Sequence, residues 1–203
     1  LPIAYGDDAW RERRAARDGE FEADLRYWRE RLANLSPLSL PTDRARPAVQ
    51  TYAGRVFRFA WPASLASAVR DLSRREGATP YMTLLAGFKV LLHRYADADD
   101  VAVACPTAGR ADPDTRGLVG LFANTVVLRD DLSGDPTFRE LVARVRVGVL
   151  DALEHAAAPF EKVVEAVRPE RDPARTPLAQ VMFVLQNMPL PELRLGPLRI
   201  EPL

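Results

Sequence analysis

Apolar positions recur along this chain with two different periods, and their succession predicts a layered arrangement of helices and strands. Phe21, Leu25, Trp28 and Leu32 fall at i, i+4, i+7 and i+11, one stripe of an amphipathic helix over residues 8–33 whose other faces are dense in Arg and Glu. Residues 36–49 carry three prolines and cannot be helical, so they read as an extended connector. Phe57, Phe59 and Trp61 alternate with Arg58 and Ala60, the pattern of a half-buried strand. A helix follows over 63–76 on Leu65, Val69 and Leu72, with Gly77 placed to stop it. Thr79-Pro80 is an N-cap with proline in the first turn. The helix it starts runs to about Tyr95 and is apolar on most faces, which makes it the expected central buried helix. After an acidic turn at 97–100, residues 101–106 read as a buried strand and 108–116 as a polar loop. Asp135-Pro136 is expected to cap a helix carrying Leu141, Val142, Val145 and Val149 inward. That helix breaks at 155–158, and Pro159 opens a short helix on Phe160, Val163, Val164 and Val167. A second Arg/Pro-rich connector spans 168–177, a strand spans 180–186, and a Pro-rich tail reaches Ile200. No regular βαβ repeat emerges, and the expected class is an α/β or α+β layered domain.

The stretch 117–129, Gly-Leu-Val-Gly-Leu-Phe-Ala-Asn-Thr-Val-Val-Leu-Arg, mixes opposed tendencies. Gly117 and Gly120 suggest a tight turn or a close backbone approach. Val126, Val127 and Leu128 read as buried strand, and Asn124 places an amide beside them. A buried amide without partners costs about 1–3 kcal/mol. Asn124 therefore either has a specific internal partner or faces a cavity.

Composition narrows the function classes. The chain has 203 residues, enough for one large domain, with 28 basic and 28 acidic side chains. Zero net charge gives no electrostatic reason to expect a nucleic acid or membrane partner. Cys105 is the single cysteine, which excludes an intrachain disulfide and fits a reducing, cytoplasmic compartment. Its apolar flanks favour an inert buried thiol. No nucleophile elbow, phosphate loop, dinucleotide fingerprint or metal-ligand spacing is present. The two histidines, His93 and His155, are far apart in sequence; His93 reads as a packed or capping residue, and His155 sits at a helix break. The start on Leu1-Pro2 and the stop on Leu203 suggest a segment of a longer polypeptide.

Several segments together resemble the condensation domain of nonribosomal peptide synthetases, of the subtype joining an L-configured donor to an L-configured acceptor. Gly120-Leu-Phe-Ala-Asn-Thr-Val-Val-Leu-Arg129 is similar to the family's G-x-F-V-N-T-x-x-x-R motif, with Ala123 in place of valine. His155-Ala-Ala-Ala-Pro-Phe-Glu161 is similar to H-Q-D-x-P-F-E, with Ala156 and Ala157 replacing its Gln and Asp. Arg171-Asp-Pro-Ala-Arg-Thr-Pro-Leu178 resembles R-D-x-S-R-x-P-L. Tyr5 to Trp10 is a shortened Y-x-D-x-A-x-W, and segments 40–47 and 106–110 also match. Each match is weak alone; their shared order over nearly the whole chain makes the set specific.

The resemblance implies the C-terminal lobe of a chloramphenicol-acetyltransferase-like (CoA-dependent acyltransferase) two-lobe fold, a mixed sheet flanked by helices. Residues 1–203 would form a partial condensation domain: a leading helix at 1–35, a connector at 36–50 and the lobe core at 51–203. The family's H-H-x-x-x-D-G motif lies upstream of the matched region, so no catalytic residue and no metal ligand is expected here. The same likeness assigns Asn124, Arg110 and Thr107 to the substrate tunnel or lobe interface. It assigns Gly120, Phe122, Arg129, His155, Pro159, Phe160, Glu161, Arg171, Asp172 and Arg175 to the structural motifs. Expected partners are the N-terminal lobe, peptidyl carrier proteins and an adjacent adenylation domain. No cofactor is expected on this chain itself, since 4'-phosphopantetheine rides on the carriers. The whole domain would form amide bonds in bacterial antibiotic biosynthesis, with this segment alone inactive. A different class remains open: a noncatalytic module that docks carriers or recruits a tailoring enzyme. Coenzyme A acyltransferases and epimerisation domains fit the 120–129 and 155–161 segments less well.

Overall fold

The computed structural model describes residues 3–110, 112–186, 193–196 and 198–200. The single helix expected over 8–33 is in fact two, α1 (Tyr5–Asp18) and α2 (Glu22–Arg31). Gly19 ends α1 in the left-handed region at φ 79°, and its N–H returns to the Ala15 carbonyl. The apolar stripe survives on the second helix: Trp28 in α2 and Leu32 just beyond it are each 1% exposed, whereas α1 buries no residue. Helix α3 (Ala63–Arg75) ends just before Gly77, as the sequence requires. Helix α4 (Pro80–Ala96) starts at Thr79, whose hydroxyl accepts the Met82 N–H at 3.3 Å.

Strands β1 (Asp100–Thr107) and β2 (Asn124–Asp131) form an antiparallel pair with Thr107 opposite Asn124 and Ala102 opposite Arg129. Val101, Val103, Val126, Val127 and Leu128 are almost wholly buried, because helices cover this pair. The strand expected over 180–186 contributes a single parallel bridge, Met182 beside Ala104. The Ala104 N–H donates to Val181 and the Phe183 N–H to Ala104, both at 2.9 Å. The small sheet is therefore mixed in direction. A separate hairpin joins β3 (Leu193–Leu195) to β4 (Leu198–Ile200).

Helix α5 (Phe138–Glu154) packs on α4 and β2 through Leu141, Val142, Val145 and Val149. Its cap is Thr137, not Asp135-Pro136: the Thr137 hydroxyl accepts the Glu140 N–H, and the Glu140 carboxylate accepts the Thr137 N–H at 2.7 Å. A threonine three residues before a glutamate closes a capping box that the Asp-Pro pair cannot. The expected break at 155–158 is present, and α6 (Phe160–Val167) starts after Pro159 and lies against α2.

One further expectation is corrected. The expected half-buried strand 57–61 is extended but enters no ladder among the described residues; Phe57 is 85% exposed and Phe59 70%. Alternation specified its conformation, but burial required a neighbour that this arrangement does not supply. Helix α4, apolar on most faces as expected, also carries a charge into the core: Lys89 is fully buried. Its ammonium donates to the Leu128 carbonyl at 2.6 Å and pairs with the buried Asp130 carboxylate. Burial pulls the Lys89 ammonium down from its ordinary pKa, and Asp130 acts against that shift.

Candidate functional site

The site is built around the turn between α5 and α6. Asn124 opens β2 and sits beneath that turn. Its amide nitrogen donates to the carbonyls of Ala156 (3.0 Å) and Ala158 (2.8 Å). Its amide oxygen accepts the N–H groups of Thr125 (2.8 Å) and Phe160 (3.0 Å). Two donors and two acceptor positions are the full capacity of an asparagine side chain. Asn124 thus joins the strand start to the turn and satisfies the first N–H of α6.

His155 fastens the same turn to α2. Its Nδ1 lies 2.8 Å from the Asp24 carboxylate, its ring stacks on Tyr27 at 4.0 Å, and its carbonyl accepts the Trp28 indole N–H at 2.9 Å. Pro159 sits at the N-cap of α6 with φ −58°, and Phe160 packs against the core. Glu161 is exposed and faces Glu12 of α1; burial first, and the Glu161 charge second, push the Glu12 carboxyl up.

The loop before β2 is held from both sides. Arg110 lies over the Phe122 ring at 4.1 Å and donates to the Thr115 carbonyl. Tyr5 meets Phe122 edge-on at 5.3 Å, and its hydroxyl donates to the Leu121 carbonyl at 3.1 Å. Tyr5 rests on Gly120, where a Cβ would overlap its ring. The Thr107 hydroxyl donates to the Asn124 carbonyl at 3.4 Å. Val119 and Leu121 remain 96% and 78% exposed on this loop.

Arg129 works at the far end of β2. Its guanidinium grips Asp100 through two bonds, 2.8 and 2.7 Å, and caps the end of α2 through the Arg31 and Ala33 carbonyls at 2.9 and 2.8 Å. A lysine ammonium lacks this planar fork. Arg129→Lys is therefore expected to lower stability by about 1–2 kcal/mol. Urea denaturation checks this, and an unchanged midpoint would show that the cap contributes nothing.

Asp172 accepts the Ala174 N–H at 2.8 Å and pairs with Arg175 at 3.2 Å. Arg171 and Arg175 line a cavity of about 1320 Å³ with Arg29 and Arg168, between the end of α2 and the second connector. The two proline-rich connectors meet nearby: Gln50 N–H donates to Pro173 at 3.1 Å, and Leu38 N–H to the Gln180 side chain at 2.8 Å.

The fold thus gathers Thr107, Arg110, Gly120, Phe122, Asn124, His155, Pro159 and Phe160 at one end of the β1–β2 pair. Arg129 and the 171–175 group lie elsewhere. Sequence reasoning did not find Asp24, Tyr27 or the Lys89–Asp130 pair as partners. A lone lysine inside an otherwise apolar helix was the available signal for the last. Cys105 is buried and free, and the Tyr81 hydroxyl donates to its Sγ at 2.8 Å.

A family model described as Condensation domain matches residues 1–195. The chain belongs to the condensation-domain family. A linear gramicidin synthase protein of Brevibacillus parabrevis is 48% identical over 204 residues, covering 100% of this chain but only 4% of that protein. The complex of the X-domain and OxyB from teicoplanin biosynthesis includes a chain 31% identical, with a TM-score of 0.86 over 95% of this chain and 44% of that one. A four-domain nonribosomal peptide synthetase bound to AMP and glycine aligns at 33% identity and a TM-score of 0.75, over 78% of this chain and 12% of that one. The first condensation domain of the CDA synthetase shares the fold at 24% identity and a TM-score of 0.67. The condensation domain here accordingly has the CoA-dependent acyltransferase-like fold, with helices around a small mixed sheet. Its Asn124 and His155 motifs both converge on the α5–α6 turn.

Proposed function

We propose that this chain is the C-terminal lobe of a condensation domain that forms an amide bond between two carrier-tethered substrates. The observation that carries the reading is coverage: the chain matches the family over residues 1–195 and yet spans 44% of an X-domain chain of the same fold. A second lobe would supply the H-H-x-x-x-D-G histidine, which has no counterpart in this sequence. Amide formation needs an amine held against a thioester with a group that handles or orients the proton. This lobe's contribution would be a rigid wall: Arg110 and Tyr5 brace the loop before β2, and Asn124 locks the start of β2 to the turn at 155–160. Donor and acceptor would arrive on 4'-phosphopantetheine arms of peptidyl carrier proteins, beside an adenylation domain, in the cytoplasm. Among the described residues no helix is long and apolar enough to cross a membrane.

A second reading has one specific observation behind it. The X-domain that aligns at a TM-score of 0.86 is described in complex with OxyB. A noncatalytic module that recruits a tailoring enzyme would use the same lobe, with a degraded histidine motif in the other.

The test uses two loaded carriers and measures amide product for this chain alone and for the chain joined to a lobe with an intact histidine motif. Product only from the joined protein is expected. Turnover by the isolated chain would overturn the division of labour, and a joined, folded protein without turnover would favour recruitment.

A further inference from the structure

We propose that Tyr5 is a positioning residue for amide formation: it holds the loop before β2, and with it the 120–124 motif, in the shape that the reaction uses. This deepens the reading of the chain as part of a condensation domain and rests on it. The inference starts from Gly120. A Cβ built there would lie 2.4 Å from Cδ2 of the Tyr5 ring and 2.7 Å from its Cε2. Gly120 does not have a positive φ, so the backbone itself does not call for glycine at this position. The missing side chain makes room for the ring.

The same ring reaches the loop twice more. It meets Phe122 edge-on at 5.3 Å, with the planes 79° apart, and its hydroxyl donates to the Leu121 carbonyl at 3.1 Å. One side chain therefore contacts residues 120, 121 and 122 in succession. Tyr5 is the first residue of α1, and its turn is closed by the Ala4 N–H donating to the Asp7 carboxylate at 2.8 Å. Six positions on, Arg11 of the same helix pairs with Asp112 at 3.6 Å, near the start of the loop. That pair is exposed and contributes direction more than energy. Helix α1 thus lies as a strap along the loop, with Tyr5 as its fixed point.

The start of the loop completes the clamp. At Gly109, φ 61°, a Cβ would lie 1.6 Å from the Phe122 carbonyl oxygen, and the Arg110 guanidinium lies 4.1 Å from the Phe122 ring centre. Every partner in this clamp belongs to the chain itself. Asn124 follows Phe122 by two residues and bonds the α5–α6 turn. The two side chains differ in kind: Asn124 ties the strand to the fold, whereas Tyr5 touches only the loop. Loss of Tyr5 should therefore move the loop and spare the fold.

Two measurements test this. Trypsin cleavage after Arg116, in the native 203-residue chain, reads the loop. Amide formation reads the reaction, in a complete domain made by placing this chain in the matching stretch of the 48% identical linear gramicidin synthase protein. Tyr5→Ala is expected to speed cleavage after Arg116 about 10-fold. It should lower kcat by about 10–100-fold, the effect of a small misplacement near the reacting groups, with the KM for both carriers and the thermal midpoint little changed. Tyr5→Phe keeps the ring on Gly120 and is expected to restore kcat to within about 3-fold of the parent. Gly120→Ala should reproduce Tyr5→Ala, and should do no further harm when added to it, because the ring it would strike is gone.

A Tyr5→Ala domain with parental kcat would overturn the proposal, as would a loss of turnover that only follows the folded fraction. Equal damage by Gly120→Ala with and without the Tyr5 ring would overturn it too, since the glycine would then serve something else. A parent domain that folds and forms no amide overturns the functional reading and this role with it. A parent that turns over beside an equally active Tyr5→Ala variant overturns the role alone.

Discussion

Lys89→Met is expected to destabilise this chain by about 3–5 kcal/mol, the usual cost of leaving a buried charge without its partner. Lys89 is fully buried, and it holds both the Asp130 carboxylate and the Leu128 carbonyl. Once the ammonium is gone, the nearest remaining cation is Arg31, 3.9 Å from the other Asp130 oxygen. Asp130 packs against Gly148 of α5 so closely that a Cβ there would lie 2.9 Å from its Oδ1, and its side chain is only 5% exposed. The double variant Lys89→Met/Asp130→Asn removes both charges and is expected to recover stability to within about 2 kcal/mol of the parent. Denaturant midpoints with their slopes measure all three proteins. A Lys89→Met protein as stable as the parent would mean that the pair does not hold α4 to β2.

Asn124→Ala is the second large effect, at about 2–4 kcal/mol, because it strips partners from four backbone groups at once. The carbonyls of Ala156 and Ala158 and the N–H groups of Thr125 and Phe160 all lose their bonds. Asn124→Asp should cost at least as much, since a carboxylate oxygen would then face the two carbonyls to which the amide donates. Denaturation of this chain gives the stability, and amide formation by the complete domain below the transition gives the activity. If Asn124 braces the wall, both variants lose stability and activity follows the folded fraction. Full stability with lost turnover would instead assign the amide to the substrate.

Much of this was legible in the residues. Thr79-Pro80, Gly77 and the break before Pro159 fixed their helix ends through local chemistry, and all three ends are found as read. The family itself was legible because short motifs in a fixed order survive single substitutions such as Ala123 and Ala174. The helix expected at 8–33 divides because its apolar stripe, Phe21 to Leu32, lies wholly beyond Gly19 and carries no information about the left-handed turn there. Segment 57–61 departs from its expected half-burial because alternation states which side is apolar, not whether anything covers it.

The sequence by itself determined most helix positions from α3 onward, the family and the absence of a histidine pair, since periodicity, capping and motif spacing are local properties of the chain. Only the tertiary structure decided what the motif residues touch. Asn124 and His155 are 31 positions apart, yet both fasten the same α5–α6 turn, one from β2 and the other from α2. Lys89 and Asp130 meet across 41 positions inside the core. A hydrogen bond or ion pair depends on distance in space. That distance is set when the helices close over the sheet, and a one-dimensional pattern does not carry it.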